Sequence, residues 1–194
     1  SPLTLITIAL IFIKKKISKK KVFEIPIICV GNIYIGGTGK TPTSILLGKE
    51  LSILGFKPVI VRKFYANHAD EYEQIRNNFN NLIINKDRET SIIKAQQKGY
   101  NIIILDDGFQ DYKIKKDFNI ICFNQNQLIG NGLIIPSGPL RENLSILKKV
   151  NIVLINGVKD LDFENKILSL HVYFLIILPF YKFLSFRHYP MGQV

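Results

Sequence analysis

Hydrophobic residues along this 194-residue chain gather in short, nearly continuous runs separated by polar or glycine-rich stretches. The runs at 25–30, 57–61, 102–105, 119–123 and 151–155 are rich in Ile, Val, Leu, Phe and Cys. Strands buried on both faces read this way, and such strands belong to parallel sheets. Between them the period changes. Residues 41–54 place Ile45, Leu46, Leu51 and Leu54 at helical spacing and close on Gly55, and 88–98 form a second helix closed by Gly99. A further helix is predicted over 71–79, a short strand over 82–84 and a short helix over 143–149, with 62–70 as a loop. Residues 125–142, carrying Gly130, Gly132, Gly138, Pro136 and Pro139, read as a long shaped loop of the kind that carries function. The alternation predicts an α/β fold: a parallel sheet with helices on both faces. Ligands of such sheets gather at the carboxyl ends of the strands.

Two motifs fall at those ends. Residues 31–42 read GNIYIGGTGKTP, a glycine-rich turn that leaves the first strand and enters the first helix of the α/β pattern. The cradle comprises Tyr34, Ile35, Gly36, Gly37, Thr38, Gly39, Lys40 and Thr41. Its glycines let backbone N–H groups approach a polyphosphate at a helix N-terminus, Lys40 reaches the β- and γ-phosphates, and Thr41 offers a hydroxyl to Mg²⁺. Tyr34 stands where the general P-loop pattern has its first glycine, and with this turn the expected fold is a P-loop NTPase-like parallel sheet with helices on both faces. The second motif, NIIILDD at 101–107, ends a buried strand on Asp106 and Asp107. One of these acids, with Thr41, is expected to hold Mg²⁺.

Charge adds a third feature. The net charge is +11, and six of the eight residues from Lys14 to Lys21 are lysines, placed directly after the apolar run 3–13. Eleven apolar residues are too short for a hydrocarbon core of about 30 Å, whereas an apolar helix lying in the interface with lysines on anionic headgroups is physically reasonable. A solvated linker is the plain alternative. Nucleic acid is not expected, because no aromatic interleaving or recognition motif accompanies the charge. A signal peptide would carry its positive charge before the apolar stretch. Cys29 and Cys122 lie inside strand-like runs and read as buried thiols of a reducing compartment, and no zinc spacing exists. The expected organisation is an apolar and basic membrane-associated helix at 1–21, a P-loop domain at 22–158, and a truncated or non-native tail at 159–194.

Four motifs in order, GNIYIGGTGKTP, DDGFQDY at 106–112, IGNGLIIPSGPLRE at 129–142 and ING at 155–157, resemble the lipid A 4′-kinase (tetraacyldisaccharide 4′-kinase) family over about residues 2–158. The resemblance implies transfer of the ATP γ-phosphate to the 4′-hydroxyl of an acylated glucosamine disaccharide 1-phosphate, at the cytoplasmic face of a Gram-negative inner membrane. It implies ATP and Mg²⁺ as cofactors, and the lipid A disaccharide precursor and the anionic inner-membrane surface as partners. It assigns Asp70 as proton acceptor, and Arg141 is a candidate for neutralising developing charge. His68, His171 and His188 are scattered and receive no catalytic role. The chain departs from the family in VRKF at 61–64, ADEY at 69–72 and Asp111 in place of a histidine. The C-terminal lobe of the family is also missing, so the expectation is a fragment that is catalytically incomplete by itself. Two other readings share these motifs: a membrane-associated P-loop ATPase or GTPase switch, and a non-catalytic membrane-binding fragment. The apolar, aromatic stretch from Leu168 onward reads either as a buried strand pair or as a weak membrane segment.

Overall fold

The computed structural model describes residues 2–157 and 160–169, together with the backbone of 174–178. His171, His188 and most of the 159–194 tail lie outside the described residues.

Contacts divide the chain into two compact units. The first to be described comprises Ile13–Gly31 and Lys40–Phe118. Its strands are β1 (Ile27–Gly31), β2 (Pro58–Lys63), β3 (Leu82–Asn85) and β4 (Ile102–Asp106). They are all parallel, in the spatial order β3-β2-β4-β1. Every residue of β4 is buried, as its uninterrupted Ile-Ile-Ile-Leu run requires of a central strand. β1 starts two residues later than its apolar run because Pro26 has no N–H to give the ladder.

Helix α2 (Lys40–Ile53) packs on β1, β2 and β4, and α3 (Ala69–Asn78) packs on α2. Helix α4 (Arg88–Gln97) covers β2 and β3 and is capped by Asp87, whose side chain accepts from Thr90 N at 2.8 Å. The expected loop at 62–70 is shorter than predicted. Arg62 and Lys63 extend β2, and α3 begins at Ala69, which places Asp70 in its first turn. Pairing with β3 and β4 carries β2 past the end of its apolar run.

The second unit comprises Ser1–Phe12, Asn32–Gly39 and Asn119–Val194. It contains β5 (Phe118–Asn124, all but its first residue), β6 (Ile152–Asn156) and β7 (Phe174–Leu178), parallel and in that order. The short helix expected at 143–149 is a 3₁₀ turn, Leu144–Lys149, started by Asn143. One helix was not predicted: α5 (Leu161–Leu168), capped by Asp160, whose side chain accepts from Phe163 N at 3.0 Å. Among the described residues of the tail one strand is seen, β7. The N-terminal helix α1 spans Pro2–Ile17 and contains no buried residue.

Gly48 of α2 faces Phe79, the residue that follows α3. A Cβ there would lie 2.9 Å from the ring of Phe79, which is buried. Adding side chain to a helical glycine ordinarily gains up to about 1 kcal/mol of propensity, but overpacking a filled core costs about 1–3 kcal/mol, so packing decides the sign. Gly48→Val is expected to destabilise the protein by about 1–3 kcal/mol in denaturant unfolding, and a stabilised variant would show that the contact yields.

Candidate functional site

The last residue of β4 is the electrostatic centre of its unit. Asp106 is completely buried, and an isolated carboxylate in such a place would be prohibitively costly. Three side chains meet it. Thr41 Oγ1, in the first turn of α2, donates to Asp106 Oδ2 at 3.3 Å, and Ser44 Oγ, almost one turn further, donates to Oδ1 at 3.0 Å. Arg62 supplies the cation. It is the register partner of Asp106 on the neighbouring strand, only 2% exposed, and its Nη1 contacts Asp106 Oδ2 while donating to Thr41 Oγ1 at 2.9 Å.

The other end of the same guanidinium faces α3. Arg62 Nη2 pairs with Glu71 and lies 3.3 Å from His68 Nδ1, which is in turn 3.4 Å from Glu71 Oε1. One arginine therefore joins a buried acid to a partly exposed one. This network was not read from the sequence as a unit. The apolar pattern puts the arginine in a loop, and its partners lie 44 and 21 residues away.

Asp107 follows in a left-handed conformation, φ 53°, with its N–H donating to Val30 O at 2.9 Å. Its carboxylate lies 3.7 Å from Lys40 Nζ. The turn beyond it is held from behind. Arg88 Nη2 donates to Asp107 O at 2.6 Å and Nη1 to Asp111 Oδ2 at 3.2 Å, while Lys116 Nζ donates to Phe109 O at 3.1 Å and to Asp111 O. Asp111 is thus paired with a buried arginine. Burial pushes the Lys116 ammonium below its usual range and the Cys29 thiol up to about 12.

These contacts bring together four of the expected residues: Thr41 with Asp106, and Lys40 with Asp107. Asp70 is exposed in the first turn of α3, and it is its neighbour Glu71 that reaches the network. The hydroxyl–carboxylate pair suits a hard divalent cation, since Mg²⁺ is commonly held by one or two carboxylates with nucleotide phosphates completing the shell. Among the described residues no cluster of three or more His, Cys, Asp or Glu forms a self-sufficient metal cage.

The other unit contains the glycine-rich loop and Arg141. Tyr34 is fully buried, its ring 5.8 Å from that of Phe123, and its hydroxyl accepts from Asn124 N at 2.6 Å. Burial raises its phenol to about 12, so it remains protonated at neutral pH. The tyrosine in the place of the usual first glycine therefore acts as a pin that fastens the loop to β5. Ile35 is half exposed, with its N–H donating to Pro139 O at 3.0 Å, and Arg141 N donates to Ile33 O at 2.7 Å. The long loop at 125–142 thereby lies along the start of the glycine turn. Gly36 and Gly39 have φ of 137° and 80°, which exclude ordinary side chains, while Gly37 and Thr38 complete the turn.

Parallel strands with helical connections, and a glycine-rich turn between β1 and α2, define the class as a P-loop NTPase-like α/β protein. Residues 2–173 match the family described as tetraacyldisaccharide-1-P 4′-kinase (LpxK). The tetraacyldisaccharide 4′-kinase of Pelagibacter ubique (strain HTCC1062) is 45% identical over 147 residues, covering 76% of this chain and 46% of the relative. That of Francisella tularensis subsp. novicida (strain U112) is 35% identical over 187 residues, covering 81% and 58%. This chain belongs to the tetraacyldisaccharide-1-P 4′-kinase family. It spans about half the length of the curated relatives it matches. The fold resembles the "apo" form of LpxK from Aquifex aeolicus in complex with ATP, with a TM-score of 0.61 at 18% identity over 99% of this chain and 87% of that one.

Removing one partner of a buried ion pair leaves the other charge uncompensated, which costs about 3–5 kcal/mol. Arg62→Gln is expected to destabilise the protein by that amount in urea unfolding. A loss below about 1 kcal/mol, the range of a surface pair, would show that Asp106 does not depend on this arginine.

Proposed function

We propose that this chain carries the nucleotide-binding part of an ATP-dependent kinase that phosphorylates the 4′-hydroxyl of a tetraacylated glucosamine disaccharide 1-phosphate, the lipid A precursor. Family membership supports the reaction. The observation that carries the reading is the pairing of the two helix-start residues with the two strand-end acids, Thr41 with Asp106 at 3.3 Å and Lys40 with Asp107 at 3.7 Å. A lysine, a hydroxyl and a strand-end carboxylate are what phosphoryl transfer from a nucleotide requires.

In this reading the loop residues 34–39 and Lys40 hold the polyphosphate, and Lys40 leaves Asp107 to neutralise the β- and γ-oxygens. Thr41 and Asp106 or Asp107 hold Mg²⁺. Bound there, Mg²⁺ supplies charge neutralisation at the phosphates. Asp70, exposed on α3, takes the proton of the attacking 4′-hydroxyl as its oxygen bonds to the γ-phosphorus. The bond from that phosphorus to the β,γ-bridging oxygen breaks, and ADP leaves. Arg141 neutralises charge that develops on the transferring group or binds substrate phosphate.

Helix α1 supports a membrane-surface site for this chemistry. Its half-buried positions are Thr4, Thr7, Ile11 and Lys15, spaced along one face, whereas Leu3, Leu5, Ile6, Ile8, Leu10, Phe12, Ile13 and Ile17 are exposed. Thr4 Oγ1 and Ser137 Oγ share a hydrogen bond of 2.5 Å. A helix of a water-soluble protein presents the opposite arrangement, so this face suits an acyl-chain boundary. Sixteen residues span only about 24 Å, less than a hydrocarbon core, and no helix among the described residues is long and apolar enough to cross a membrane. Shallow insertion with lysines at the headgroups of the cytoplasmic leaflet fits both facts.

Two substitutions in the full-length protein test the catalytic assignment. Lys40→Ala is expected to abolish ATP-dependent phosphorylation of the lipid acceptor, and Asp70→Asn to lower kcat by about 10²–10⁴ with ATP affinity nearly unchanged, since a general base acts on the acceptor. Near-normal turnover of the first would overturn the cradle. Lost ATP affinity in the second would make Asp70 a metal or structural residue.

Deleting residues 1–21, or changing the six lysines of 14–21 to Gln, is expected to release the protein from anionic vesicles, because each lysine near such a surface contributes about 1 kcal/mol. Binding should weaken with added salt. Co-sedimentation that survives the deletion would assign the contact to another part of the chain.

A further inference from the structure

Four successive carbonyls of the glycine-rich loop each accept a hydrogen bond from a side-chain carboxamide. Gln127 Nε2 donates to Ile35 O at 3.2 Å, Asn32 Nδ2 to Gly36 O at 3.4 Å and Asn124 Nδ2 to Gly37 O at 3.1 Å, and Asn156 Nδ2 makes a short bond to Thr38 O. The donors come from separate places in the sequence. Asn124 and Asn156 are the last residues of β5 and β6 and are register partners, so the two strand ends present their amides side by side. Gln127 stands in the turn after β5, its own N–H bonded to Asn124 O at 3.2 Å.

Asn124 is fully committed to this arrangement. Its N–H reaches the Tyr34 hydroxyl, its Nδ2 reaches Gly37 O and its Oδ1 accepts from Asn126 N at 2.8 Å. The glycines answer to the same amides. A Cβ on Gly36 would lie 2.9 Å from Gln127 Oε1, and one on Gly39 would lie 2.9 Å from Asn156 Cγ. The glycine requirement of the turn is thus set partly by what holds it from behind, as well as by its φ angles.

A peptide group is a dipole, so a loop that turns successive N–H groups toward an anion must turn its carbonyls away and give them donors. Lysine or arginine could do this, but a cation behind the loop would draw the anion toward itself. Carboxamides satisfy the carbonyls without adding charge. We propose that Asn32, Asn124, Gln127 and Asn156 are positioning residues for polyphosphate, which fix the carbonyls of residues 35–38 so that the loop presents its N–H face to the phosphates. This rests on the nucleotide-binding reading given above.

The test is calorimetric titration of the full-length protein with inorganic tripolyphosphate and with ADP, alongside backbone-amide NMR shifts of Gly36, Gly37, Thr38 and Gly39 on adding tripolyphosphate. Asn156→Ala is expected to weaken both ligands about fivefold, the worth of one neutral hydrogen bond, and Asn124→Ala/Asn156→Ala together by about 25-fold, with smaller loop-amide shifts. Asn156→Asp is the discriminating variant. It keeps the shape but loses the donor, so the loop-amide shifts should shrink as in Asn156→Ala, whereas a residue needed only for packing would leave them at wild-type size; the added negative charge weakens binding further. Gln127→Ala, in a turn, offers a variant that leaves both strands intact and should lose about threefold. The proposal is overturned if Asn156→Asp binds like wild type, or if the double variant keeps wild-type affinity. A wild-type protein that binds neither probe would instead remove the nucleotide-binding reading itself.

Discussion

Asp106 is a carboxylate with no access to water, and its need for partners organises much of the unit around it. Burying a charge is costly unless it is both paired and hydrogen-bonded. Satisfying this one acid fixes where α2 begins, because Thr41 and Ser44 must face the end of β4. It also sets how far β2 extends, because Arg62 must reach register with it. Through the far side of the same guanidinium it sets the approach of α3, which begins beside His68 and Glu71. The chemistry proposed for the strand end and the stability of the fold thus draw on the same atoms.

The glycine-rich loop meets a related problem with neutral groups. Its carbonyls are matched by side-chain carboxamides, while the Tyr34 hydroxyl accepts from the backbone N–H of Asn124. Cationic pairing serves where a full negative charge is buried, and amide pairing serves where only dipoles need satisfying beside an expected anion. The difference follows from charge: an arginine suits Asp106 because it cancels a charge, and would be misplaced behind the loop because it would compete for the ligand.

Helix α1 follows neither logic, since it buries no residue and exposes most of its large aliphatic side chains. The lysines in and after its last turn do find partners within the unit that contains Ile13–Gly31. Lys14 and Lys15 lie 5.6 and 5.3 Å from the centre of the Tyr112 ring, and Lys21 pairs with Glu89 at 3.2 Å. Such exposed contacts contribute little each and are weakened by salt, which leaves the lysines available to a more highly charged surface.

The sequence by itself determined the parallel α/β class and the place of the glycine-rich turn. Central strands are written as continuous apolar runs, and Gly55 and Gly99 mark helix ends through φ values of 87° and 77°. It also determined that Asp106 closes a strand and that Asp107 follows it, because a four-residue apolar run ended by two acids is too short for a helix. The short helix α5 escaped notice although Asp160 signalled its start, because eight residues hold too few apolar positions to set a period. What only the tertiary structure decided is which distant residues meet. Arg62 is one charged residue among many until β2 pairs with β4, and Asn156 stands 118 residues from the carbonyl it holds. Hydrophobic periodicity reports local burial, whereas hydrogen-bond partners across a sheet depend on strand order and register, and neither is written in any local stretch of the chain.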